Sequence, residues 1–157
     1  MAGWRVDENQ IEVILGHEDG LVIVLKAHML LEQLLSEYIR VRLPTIGNET
    51  LNRLRFGDQV ALASALGAFP ESSRAAYMKV DNLRNALAHE LDRDVLPVDE
   101  KAIFESLAPE QGGLDGLAVL HRTPEAFPST LRTVLATLIV QIGGALPDTQ
   151  PSRERNP

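Results

Sequence analysis

Apolar residues recur along this chain at helical spacing, and no segment alternates with period two in strand-type residues. Asp7 and Gln10, spaced as a capping box, predict a short first helix that closes near Gly16. A long second helix follows Gly20 and runs to about Leu43, where LPTIGNET supplies Pro, Gly and Asn as breakers. The third, DQVALASALG, places Val60, Leu62, Ala63 and Leu66 in apolar positions and stops at Gly67, a natural left-handed cap. A fourth begins around Pro70 or Glu71 and carries to about Leu91, after which Asp94 to Pro97 breaks the pattern. Asp99 to Leu107 predicts a short helix, and Ala108 to Pro128, rich in Gly and Pro, an irregular excursion. The last helix spans Ser129 to Ile142, with Ser129 as N-cap and Gly143 and Gly144 as the stop.

Four principal amphipathic helices joined by short breaks predict an all-α fold, an antiparallel up-and-down bundle of four to six helices in all. One domain is expected over residues 1–146, with a disordered tail over 147–157. In the last helix Leu131, Val134, Leu135, Leu138 and Ile142 form the inward stripe, while Thr133, Thr137 and Gln141 leave the other faces almost uncharged. Such a helix is expected to be covered on more than one side, by other helices or by a second subunit.

Composition narrows the function classes. The 157 residues suit one core, and an aromatic share of 4% means that Leu, Val, Ile and Ala build it. There is no Cys, which excludes disulfides, thiolate catalysis and Cys-ligated zinc. The first residues lack the basic start and apolar run of a secretory signal. The longest apolar run is broken by Lys26, His28, Glu32 and Gln33, so no membrane span and a cytoplasmic location are expected. A net charge of −7 argues against coating nucleic acid by bulk electrostatics. Arg40, Arg42, Arg53 and Arg55 against the single Glu49 still allow a local basic patch.

The fourth helix carries the candidate chemistry, in the stretch NLRNALAHELD. At about 100° per residue, Ala76, Val80, Leu83, Leu87 and Leu91 form its core stripe. Asn82, Asn85 and His89 line up on the opposite side with Met78, and Arg84 sits on the flank of the stripe. A solvated helix face is usually Lys, Glu and Gln; two Asn and a His are weaker helix formers, and small Ala75 and Ala86 would let another helix approach. The second helix has a related line of His28, Glu32 and Ser36 between apolar neighbours. His28 and Glu32, four residues apart, are placed to hydrogen-bond there or to line the same groove as His89. A divalent ion on His28, Glu32 and His89 is a minor alternative; no metal and no cofactor are expected.

Arg84, with Asn85 directly after it and His89 beyond, resembles the Arg-x(4–6)-His motif of HEPN domains. The long apolar helix with HMLLEQLL, the element LRFGDQVALASALG and then LRNALAHELD are similar, in that order, to the HEPN branch that includes the mannitol operon repressor family, over roughly Asp19 to Asp92. The resemblance implies an all-α HEPN-like bundle that forms a homodimer and brings two motifs to one cleft. It implies a metal-independent endoribonuclease, a toxin or phage-defence effector that cleaves RNA by attack of the ribose 2′-hydroxyl. His89 would be the general acid/base, Arg84 the phosphate clamp and Asn85 the orienting residue. Family members controlled by adenylylation carry a Tyr two residues after the His, and here that position is Leu91. The other function the resemblance allows is a non-catalytic dimeric regulatory or interaction protein, linked to transcription as in the repressor branch, whose polar face binds a partner or nucleotide; an antitoxin or regulatory protein partner is allowed as well. No helix-turn-helix with a basic recognition helix is evident.

Overall fold

A computed structural model of the chain describes residues 8–16, 19–90, 92–106 and 129–147. Among them the fold is all-α: α1 (Glu8–Leu15), α2 (Gly20–Arg42), α3 (Asn48–Arg53), α4 (Phe56–Ala65), a 3₁₀ turn (Glu71–Ser73), α5 (Arg74–His89), α6 (Pro97–Glu105) and α7 (Ser129–Ala145). Asp7, Leu91, the excursion from Ala108 to Pro128 and the C-terminal tail from residue 148 onwards lie outside the described residues.

The helix ends follow local chemistry. The Asp19 carboxylate accepts the Leu21 N–H at 3.0 Å and so caps the start of α2. Pro44 stops the helix, and the Leu43 N–H closes its last turn on the Ile39 carbonyl at 2.8 Å. The same breaker segment then yields a helix that the pattern does not predict, α3. Its six residues are too few to show a period, and burial of Leu51 is what holds it against the core. The Asp58 carboxylate accepts the Arg55 N–H at 3.3 Å at the head of α4. At its foot Gly67 takes φ +96°, with Gly67 N–H on Ser64 O at 3.0 Å and Ala68 N–H on Ala63 O at 2.9 Å. That pair of bonds is the Schellman arrangement, and the positive φ is why Gly stands there.

Helix α2 is the hub, packed against α1, α4, α5 and α7. Ile23, Val24, Ala27, Leu30, Leu31, Leu34, Leu35, Tyr38 and Ile39 are all buried, an arc wider than a single amphipathic stripe. On α5 the stripe of Ala76, Val80, Leu83 and Leu87 is buried as its spacing predicts, and on α7 Leu131, Val134, Leu135, Leu138 and Ile142 are buried, joined by Ile139.

One expectation about α7 changes, and the cover of this helix by others is seen at Gln141. The helix runs through Gly143 and Gly144 to Ala145 instead of stopping at Ile142. Gly inside a helix costs about 1 kcal/mol relative to Ala, which burial of Ile142 and the packing of Ala145 and Leu146 on the core offset. On the polar side of α7, Gln141 is met by α5 and the 3₁₀ turn of the same chain. The buried Tyr77 hydroxyl donates to Gln141 Oε1 at 2.6 Å and lies 3.1 Å from the Leu138 carbonyl, and Gln141 Nε2 donates to Ser73 Oγ at 3.4 Å. Phe69 stacks on the Tyr77 ring with centroids 4.3 Å apart. Burial pushes the Tyr77 hydroxyl far above the ordinary phenol range, which keeps it a proton donor.

Candidate functional site

Helix α5 presents the four polar residues singled out above in two settings. Asn82 and His89 are exposed, and Arg84 and Asn85 are half-buried. An ideal helix puts Arg84 and His89 about 140° apart, but Arg84 Nη1 reaches across and donates to Asn85 Oδ1 at 3.1 Å. The guanidinium is thereby drawn toward the side that also carries His89, one turn beyond Asn85. His89 is the last residue of α5 and has no hydrogen-bond partner among the described residues.

Met78 does not share their outlook. Its Cε lies 3.4 Å from where a Cβ on Gly57 would stand, so the head of α4 covers this part of the α5 face. The absence of a side chain at Gly57 is what lets the two helices approach there.

The polar line on α2 splits. Glu32 is exposed, whereas His28 is only 5% exposed and turns to α5, where its Nε2 lies 2.9 Å from Asp81 Oδ1. The Phe56 ring stacks on the imidazole, centroids 4.5 Å apart and planes 27° from parallel. His28 therefore pairs with Asp81 and not with Glu32, because a buried ring nitrogen needs a partner inside the protein and Glu32 points to water. Ser36, the third member of the line, accepts from Gln59 Nε2 of α4 at 3.2 Å. His28 and Ser36 thus lie on the seams where α5 and α4 dock, and Glu32 does not. The His28 seam stands behind the candidate site: Asp81 is one turn before Asn85 on α5.

Asp81 and Phe56 were not legible as site neighbours from their own surroundings. The available signal was His28 itself, a polar residue among apolar neighbours that required an acceptor from another helix. His28, Glu32 and His89 are not gathered; no cluster of three His, Asp or Glu able to hold a metal ion occurs among the described residues.

The surrounding charge is mixed. Arg40 pairs with Glu37 at 3.1 Å and Arg53 with Glu49, so two of the four clustered arginines are balanced within their own helices. Arg42 and Arg55 are exposed. Just past His89 a concavity of about 530 Å³ is lined by Glu90, Asp92, Arg93, Asp94 and Leu96. Arg93 spans this exit from α5 to the start of α6 by pairing with Asp99 at 2.9 Å. No helix among the described residues is long and apolar enough to cross a membrane.

No protein-family model, curated protein or solved structure matches the chain.

Proposed function

We propose that the chain is a HEPN-type, metal-independent endoribonuclease that works as a homodimer, with two α5 faces meeting over the RNA, in the role of a toxin or phage-defence effector. The observation that supports it is the bond from Arg84 Nη1 to Asn85 Oδ1, which joins a cation and an amide on the helix that carries exposed His89 one turn further on. These are the groups that a phosphodiester transfer needs. One His89 takes the proton of a ribose 2′-hydroxyl as that oxygen attacks phosphorus, and the bond from phosphorus to the 5′ oxygen breaks. The His89 of the second copy gives a proton to the departing 5′ oxygen. The products are a 2′,3′-cyclic phosphate and a 5′-hydroxyl. Arg84 holds the non-bridging oxygens, where charge grows in the transition state. With Leu91 where adenylylated relatives have Tyr, a regulatory partner would have to act through contact and not through that modification.

The test is incubation of the pure chain with single-stranded RNA in EDTA. Wild type is expected to cleave to cyclic-phosphate ends and His89→Ala to be inactive. Equal activity in the two would sink the proposal.

One observation favours the second reading, a non-catalytic dimeric regulatory or interaction protein. Glu90, Asp92 and Asp94 stand immediately beyond His89 and repel a phosphate backbone. Inertness toward varied RNAs, together with a bound partner lost in His89→Ala, would establish that reading instead.

A further inference from the structure

We infer that Asn85 meets its ligand as a hydrogen-bond donor, forming with Arg84 a donor-only cradle for a phosphate oxyanion, and does not orient His89. The inference rests on the nucleic-acid reading of the α5 face given above and assigns the chemistry of its binding half.

A guanidinium has N–H donors and no acceptor. The amide atom 3.1 Å from Arg84 Nη1 must therefore be the Asn85 oxygen, which fixes how the amide is turned. With Oδ1 facing Arg84, the Nδ2 group and its two N–H donors lie on the other side of the amide. An Asn that oriented the imidazole would bond to it directly, and no such bond occurs among the described residues.

Charge points the same way. Arg40, Arg53, Arg74 and Arg93 each have a carboxylate partner, and Arg42 and Arg55, which have none, are exposed to water, but Arg84 is half-buried and has none among the described residues. Asp81 stands one turn before Asn85 and would be the natural counter-ion at three residues' distance, but it is engaged by His28 at 2.9 Å. A half-buried cation whose only partner is a neutral amide is short of an anion. The remaining guanidinium donors and the two Asn85 donors are all of one kind, which suits a tetrahedral oxyanion of a single-stranded RNA backbone and rejects a cation or an amine.

The experiment titrates the full chain with a 2′-O-methyl RNA oligonucleotide, which carries the phosphates but cannot be cleaved, and assays cleavage of the unmodified strand alongside. Asn85→Asp keeps an oxygen for Arg84, so the fold and the Arg84 contact survive, while both donors are lost and a negative charge enters. It is expected to weaken binding by about tenfold or more and to abolish cleavage. Asn85→Ala, which removes the donors without adding charge, should weaken binding less. If Asn85→Asp binds and cleaves like wild type, Asn85 serves as an acceptor and the inference is overturned. Failure of the wild type to bind the oligonucleotide overturns it too. Binding by wild type without cleavage, with the expected loss in Asn85→Asp, would leave the cradle standing and remove the nuclease reading.

Discussion

Helix α5 carries two kinds of polar cluster, and they differ in how completely their valences are used. Tyr77 and Asp81 face inward along α5 and are closed by partners from other helices: Gln141 and the Leu138 carbonyl for one, His28 for the other. Arg84, Asn85 and His89 make one bond among themselves and no other among the described residues. A closed cluster specifies which helix packs where, because any other packing would strand a buried polar group. An open one contributes little to stability. The contrast divides α5 in two: Asp81 ties it to α2 and Tyr77 to the end of α7, while Asn82 and His89 stand exposed on its outer edge.

Substitutions should separate the two clusters by size of effect. The largest is expected for His28→Ala, which leaves the Asp81 carboxylate mostly buried without a partner and removes the ring stacked on Phe56. It should cost about 3 kcal/mol in urea unfolding; a cost near zero would mean that the pair is not a structural tie.

Next comes Tyr77→Phe, which strips the hydroxyl from Gln141 Oε1 and the Leu138 carbonyl and should cost about 1–3 kcal/mol. The same variant has a pH signature. Because burial raises the folded-state pKa of Tyr77, its neutral form is favoured by folding, so its contribution is complete below the unfolded phenol value of about 10 and falls as pH rises above it. Wild type should therefore lose stability on the alkaline side more steeply than Tyr77→Phe, and parallel curves would contradict the burial.

Asp81→Asn retains an oxygen for His28 but removes the charge, and should cost about 1 kcal/mol. Smallest are His89→Ala and Asn82→Ala on the open side, each expected within about 0.5 kcal/mol of wild type in the same unfolding measurement. A large loss at His89 would show that the outer edge is structural after all.

The long periodic segments were legible without coordinates. α2, α5 and α7 stand where the spacing of Leu, Ile and Val predicts them, because a 3.6-residue repeat sustained over several turns has one low-energy solution in water. Legibility failed where the deciding energy came from elsewhere in the chain. α3 is too short to show a repeat and exists because Leu51 finds the core. The paired glycines near the end of α7 read as a stop, but the apolar residues on either side of them pack on the core and carry the helix through. At the candidate site, the buried stripe of α5 and the exposure of Asn82 and His89 were legible from angles alone, while the half-burial of Asn85, the cover of Met78 by α4 and the destination of Arg84 were not: a long side chain on the flank can turn either way, and the Asn85 oxygen decides it.

The amino-acid sequence by itself determined an all-α chain, the main helices, their apolar stripes and the Gly67 cap, since each depends on residues within a few positions of one another. Tertiary structure alone decided that His28 belongs to Asp81 and Phe56, that Gln141 is answered by Tyr77 and Ser73, and that Met78 is covered at Gly57. Those pairings join residues far apart in the chain, and a buried polar group or an apolar side chain accepts whichever partner the packed helices bring within reach.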